Sequence, residues 1–185
     1  MNPTVERIML DFKALWNRAQ SFEEFVATSA IQYRGLWDGI FRLARVPAWA
    51  ESMLPPGQER RLLVLAEDWC GDASNTVPAL ARWAESVSGL SIRILKRDEN
   101  LEVMDRYLTN GSRSIPVVIV LDEDFQELGR WGPRPTDLQA WVMANKDVIP
   151  KEERYKEVRR WYARDKGETT IREVNALLGV GERVG

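Results

Sequence analysis

Apolar side chains recur at three- and four-residue steps through the first third of the chain. Val5, Ile8, Met9, Phe12, Leu15, Trp16 and Ala19 form one stripe, and Tyr33, Leu36, Trp37, Ile40, Phe41 and Ala44 form a second. That spacing predicts two helices, each with one buried face. Between them, Ser21-Phe22-Glu23-Glu24 spells a capping box, in which the Ser21 hydroxyl and the Glu24 carboxylate satisfy amides left over at a helix start. The second helix should stop before Pro47, and Pro55-Pro56-Gly57 is a firm break. The aromatic residues of both stripes are expected in a core. A stripe left incompletely buried would instead offer a dimer or partner surface.

The pattern changes from residue 61 onward. Leu62-Leu63-Val64-Leu65-Ala66 is a short unbroken apolar run, as in a strand covered on both faces. Residues 71–86 predict a helix with Val77, Leu80, Ala81 and Ala84 on one side. Ser91–Leu95 predicts a second strand, residues 100–109 a short helix, and Pro116–Leu121 a third, strongly β-branched strand. The acidic turn Asp122-Glu123-Asp124 leads to a fourth strand around Phe125–Trp131, so the last two should pair as an antiparallel hairpin. Thr136 is placed to cap a last core helix carrying Leu138, Trp141 and Val142. Beyond Pro150, Lys151–Lys166 reads as a charged helix with Tyr155, Trp161 and Tyr162, and Thr170-x-x-Glu173 spells another capping box for a helix stopping at Gly179.

Strand, helix, strand, helix, strand, strand, helix is the order of an α/β protein. Its first strands should be parallel and its hairpin should add an antiparallel edge. The chain divides into an N-terminal helical extension over 1–57, a sheet domain over 58–148 and a C-terminal helical extension over 149–185 packed on it.

Composition narrows the chemistry. The chain has 185 residues, a length that suits one elaborated domain, and a formal charge of −2 that supplies no general attraction to nucleic acid or an anionic membrane. It contains no histidine, which excludes Ser-His-Asp and Cys-His catalysis and histidine-based metal sites. Cys70 is its one cysteine, so neither an intrachain disulfide nor a Cys-rich zinc site can form. No apolar run approaches the ~18 residues of a membrane span, and Glu6, Arg7 and Asp11 interrupt the start where a signal peptide would be apolar. The expected compartment is the cytoplasm, where a lone thiol stays reduced. With no phosphate loop, dinucleotide fingerprint or metal-ligand cluster, no cofactor and no metal are expected.

Two charged segments invite sharper readings. Asp122-Glu123-Asp124 lacks the glycine-bearing spacing of a calcium loop and reads as a solvated turn. Arg159, Arg160, Arg164 and Lys166 flank Trp161 and Tyr162, but Glu152, Glu153, Glu157 and Asp165 dilute that charge. An amphipathic helix packing on the domain is the reading, not a nucleic-acid platform.

Cys70 stands where the first predicted strand gives way to its helix. Unpaired amides there stabilise a thiolate and lower its pKa from ~8.5 toward a reactive range of roughly 3.5–7.5. Asp72, within a turn of the sulfur, works in the opposite direction.

Trp69-Cys70-Gly71-Asp72-Ala73 resembles the thioredoxin motif W-C-G-P-C, with Asp72 for the proline and Ala73 for the second cysteine. Pro78 matches the proline within that family's active-site helix, Ser114-Ile115-Pro116 its cis-proline signature, and Gly132 a glycine lining its substrate groove. These landmarks span about residues 60–147 in the family's order. More narrowly, the chain is similar to a thioredoxin-like group with Cys-Gly-Asp followed by Cys or Ala after a helical N-terminal segment. The resemblance implies a thioredoxin-like fold, a cis Ile115–Pro116 bond, Cys70 as the catalytic residue, and Trp69, Gly71, Asp72, Ile115, Pro116 and Gly132 as substrate-binding.

The departures from the family pattern bear on function. Val64 occupies the position of the family's buried acid, and Ala73 removes the resolving thiol. Cys70 can therefore attack a disulfide but cannot release itself intramolecularly. One expectation is monothiol exchange through a mixed disulfide with glutathione or a protein thiol. The other is a redox-inactive thioredoxin-fold binding or adaptor module. A homodimer joined through Cys70 is a third arrangement.

Overall fold

A run without polar interruption needs cover on both sides, and the two such runs become the centre of the sheet. In the computed structural model, which describes residues 9–52 and 54–179, β1 (Arg60–Ala66) and β3 (Val117–Leu121) lie side by side. β2 (Leu90–Lys96) and β4 (Glu127–Trp131) form the edges, in the order β2-β1-β3-β4. β1 and β2 are parallel with Val64 opposite Ile94, whereas β3 runs antiparallel to β1 with Ile119 opposite Leu63. β4 returns antiparallel to β3, with a bulge between Val120 and Leu121. The mixed sheet and its expected hairpin are thus present.

The N-terminal segment forms three helices, α1 (Phe12–Arg18), α2 (Phe22–Thr28) and α3 (Ile31–Leu43); α2 packs on β2, and α3 lies outside the sheet's layers on the helix that follows β1. The capping box forms as spelled: the Glu24 amide donates to the Ser21 hydroxyl at 3.1 Å and the Ser21 amide to the Glu24 carboxylate at 2.8 Å. Phe25 and Trp37 are wholly buried, with ring centroids 4.9 Å apart. Gln20 bridges to Ile94 through two backbone hydrogen bonds of 2.9 and 2.8 Å, which covers part of the exposed edge of β2. Val5 and Ile8, the first positions of the expected stripe, lie outside the described residues.

Behind β1 comes α4 (Gly71–Ser86), with the bounds its pattern predicts. It is buried beyond one stripe, because the sheet, α3 and α8 (Glu168–Asn175) all pack on it. Its buried Ser74 and Thr76 hydroxyls donate back to the carbonyls of Gly71 (3.0 Å) and Asp72 (2.7 Å), which makes their burial tolerable.

Three local expectations fail. The helix predicted over 100–109 is only α5 (Leu101–Met104): Arg106 and Tyr107 donate to carbonyls three residues back (3.0 and 2.9 Å), and Asn110 and Gly111 then turn with positive φ of 49° and 75°. That tight turn lets Thr109 and Ser112 exchange hydrogen bonds of 2.9 Å, which helical backbone could not do.

Thr136 is the first residue of α6 (Thr136–Ala144), not its cap; its amide donates to Glu173 of α8 at 2.9 Å. Nor does α6 enter the main core: Leu138 joins Val158 and Tyr162 of α7 (Lys151–Asp165) in a separate small cluster.

Thr170 likewise caps nothing. Lys166 and Gly167 turn sharply with φ of 54° and 87°, and the helix resumes at Glu168, leaving Thr170 within it. The main core is closed by α8 instead, through Ile171 and Val174, and by Leu178 just beyond its end. Among the described residues no helix is long and apolar enough to cross a membrane.

Candidate functional site around Cys70

The strand-to-helix junction after β1 makes Cys70 the N-cap of α4. Its extended backbone (φ −78°, ψ 118°) leaves its carbonyl to accept from the Ser74 amide at 2.9 Å. The sulfur faces the helix start and accepts from the Ala73 amide at 3.5 Å. Its own hydrogen goes to the carbonyl of Ile115, also at 3.5 Å. The Ile115–Pro116 bond is cis, as the motif implied. The structure therefore brings Cys70, Ile115 and Pro116 together across 45 residues of chain.

The helix amides and Asp72, expected to act on the thiol pKa in opposite directions, are joined by a larger effect, burial. Burial pushes the Cys70 thiol up. The amides of Ala73 and Asp72 and the Arg134 guanidinium pull it down, the Asp72 carboxylate adds to the rise, and the net direction is upward. Cys70 is only 9% exposed, so hydration that would stabilise a thiolate is largely lost.

Asp72 is not an isolated helix N-terminal acid. Arg134 grips it with two nitrogens, Nε at 2.9 Å on Oδ1 and Nη2 at 2.6 Å on Oδ2. The Tyr162 hydroxyl donates to Oδ1 at 2.9 Å, and Arg134 reaches on to Gln139 at 2.8 Å. Burial, then the Asp72 charge, raises the Tyr162 phenol far above its ordinary range, so it remains a donor. This knot joins α4, the turn after β4, α6 and α7 beside the sulfur.

Sequence reasoning missed Arg134 and Tyr162. The signal for Arg134 was local, an arginine held between Pro133 and Pro135 directly after Gly132. Tyr162 carried none, since nothing in its own helix points to Asp72. Glu67 was also overlooked: it is buried, accepts the Asp98 amide at 2.8 Å, and burial raises its pKa.

The remaining predicted residues surround this junction. Trp69 is 50% exposed, with the Arg97 guanidinium 5.3 Å from its ring centroid. Gly71 is exposed and a Cβ there would meet nothing within 4 Å. Gly132 has a structural requirement: φ is +121° and a Cβ would lie 2.1 Å from the Pro116 carbonyl oxygen. It is followed by a second cis bond, Gly132–Pro133. Val64 is fully buried. Among the described residues no group of three or more acidic or cysteine side chains could hold a metal ion.

A family model described as thioredoxin matches residues 19–166. The chain belongs to the thioredoxin family. Two solved structures carry the likeness over almost the whole chain. One is a protein of unknown function from Pseudomonas aeruginosa, with a TM-score of 0.74 at 22% identity, covering 92% of this chain and 98% of that one. The other is an HIV epitope scaffold, with a TM-score of 0.73 at 21% identity, covering 94% of this chain and 100% of that one. Both show the thioredoxin-like fold. No curated protein matches the chain. The thioredoxin match begins within the N-terminal helices and ends after α7, so its extent is wider than the sheet and its immediate neighbours.

Proposed function

We propose that this thioredoxin-family chain is a binding module in which Cys70 rests as a shielded, neutral thiol and not as a standing nucleophile. The observation that carries the reading is the state of the sulfur. It is buried, gives its hydrogen to the Ile115 carbonyl, and has its pKa raised by that burial. Ala73 leaves no second thiol to resolve a mixed disulfide, since the chain has a single cysteine. The recognition surface on this reading is half-exposed Trp69 with the backbone beside Pro116, where an extended peptide segment can add as a strand.

A second reading has one observation in its favour. Cys70 still caps α4 and still lies beside a cis-proline, the arrangement in which a monothiol would form a mixed disulfide with glutathione or a protein thiol. Iodoacetamide labelling of Cys70 across pH, followed by intact mass, separates the two. The binding reading expects labelling slower than free cysteine at neutral pH, with a midpoint above the free-thiol value of ~8.5. Labelling faster than free cysteine, with a reversible glutathione adduct, would reject it in favour of exchange.

A further inference from the structure

Away from Cys70, an open groove of about 420 Å³ runs between two helices that do not belong to the sheet's own layers. Leu36, Ile40 and Leu43 of α3 form one wall, Tyr162 and Ala163 of α7 the other, and Ala79 of α4 the floor. Its shape is built in. A Cβ on Gly167 would lie 2.4 Å from that of Ala79, so the α7–α8 turn sits directly on α4. Tyr162 is anchored to Asp72 at 2.9 Å, which fixes the α7 wall.

The α3 wall is where the expected apolar stripe fails to be covered. Of that stripe Trp37 faces inward and is fully buried, but Leu36 is 50% exposed, and Leu43, outside the stripe as read from spacing, is 77% exposed. Large apolar side chains left open along one strip mark a contact surface. From Leu36 to Leu43 the strip runs about 10 Å, two turns of helix. That is the footprint of a helix laid lengthwise with apolar anchors at i, i+3 or i+4, and i+7.

Charge selects the sort of helix. Arg45 and Lys166 line the groove and no carboxylate does. Eleven ion pairs engage other arginines and lysines among the described residues, yet neither of these two takes part. Arg159, one turn before Ala163 on α7, is likewise outside those pairs. An apolar floor edged by unpaired cations complements a partner that is apolar on one face and acidic beside it.

We infer that this groove docks an acidic amphipathic helix of a partner protein. The inference is independent of the state of Cys70, so labelling of the thiol and occupancy of the groove can succeed or fail separately.

The test uses the full chain and two fluorescein-labelled peptides of about 14 residues with leucines at i, i+4 and i+7. One carries glutamates at the flanking positions and the other lysines. Fluorescence anisotropy should show saturable binding of the glutamate peptide, weakened as salt rises. Leu43→Ser, and Arg45→Glu combined with Lys166→Glu, should each weaken it at least about tenfold. These sites are exposed, and circular dichroism melts of each variant report whether the fold persists.

Equal binding of the lysine peptide, no saturation up to ~1 mM, or indifference to all three substitutions overturns the inference. It also falls if the peptide-free chain sediments as a dimer that Leu43→Ser dissociates, which makes the occupant a second copy. Binding of dodecanoate with the same Leu43 dependence, where the acidic peptide fails, likewise rejects a helix as the occupant.

Discussion

Around the sheet, Leu63, Val64, Leu65, Val118 and Ile119 are wholly enclosed, and α4 and α8 close over them with Trp83, Ile171 and Val174 at zero exposure. In the α6–α7 hairpin only Leu138, Val158 and Tyr162 are buried, with Trp141, Val142 and Trp161 partly covered. The hairpin therefore has little apolar area of its own, and much of its attachment is polar: Arg134 and Tyr162 on Asp72, and the Thr136 amide on Glu173. Apolar burial is non-directional and spread over many contacts, whereas this attachment rests on a few groups in specific geometry. The difference teaches that the two regions should fail separately. The sheet body sets global stability, and the hairpin sets how often the neighbourhood of Cys70 opens.

Substitutions can break that contrast or sharpen it. The largest effect is expected in the sheet body. Trp83→Ala empties a fully buried site and orphans the Ala50 carbonyl that its indole serves at 2.9 Å, so urea denaturation should show a loss of about 4 kcal/mol in one cooperative step. Gly132→Ala comes next. Its Cβ would meet the Pro116 carbonyl oxygen at 2.1 Å with φ at +121°, and about 3 kcal/mol should be lost in the same measurement.

Arg134→Gln belongs to the hairpin. It removes both charge-assisted bonds to Asp72, whose side chain is only 12% exposed. A cost of about 2 kcal/mol is expected, and Cys70 alkylation should speed up about tenfold at fixed pH through local opening. If alkylation rises only as much as global unfolding does, the hairpin is not a separate unit. Tyr162→Phe deletes one bond to the same carboxylate and should cost about 1 kcal/mol, with a smaller gain in alkylation.

The smallest effect is in pH. Burial raises the pKa of Cys70 and of Tyr162 in the folded chain. Each contribution is complete below the unfolded-state pKa, ~8.5 for the thiol and ~10 for the phenol, and is lost as pH climbs through the folded value. Chemical denaturation should therefore show stability declining from about pH 8.5 upward, and Cys70→Ala should flatten the first part of that decline.

Much of the fold was legible because its signals are local. The unbroken apolar runs marked β1 and β3 as central, the bounds of α4 followed from its pattern, and the Ser21–Glu24 box formed as written. The second capping spelling misled for a physical reason. Glu173 sits three residues after Thr170, but its carboxylate is drawn to the Trp131 indole at 2.6 Å and the Thr136 amide at 2.9 Å. A capping box gains only what two orphan amides offer, and a partner from another element competes for the same oxygens. The same limit applies at the site. The motif located Cys70, Ile115 and Pro116, but Arg134 and Tyr162 lie 62 and 90 residues from Asp72.

The amino-acid order alone determined the succession of elements, the place of a lone cysteine at a helix start, and the lack of any second cysteine. These are properties of neighbouring residues, carried by period, spacing and identity. Tertiary structure decided whether the thiol meets water, which charges face it, and which half of a helix stripe stays open. Burial and pairing arise between segments far apart along the chain, and spacing within one segment carries no record of what another segment will bring to it.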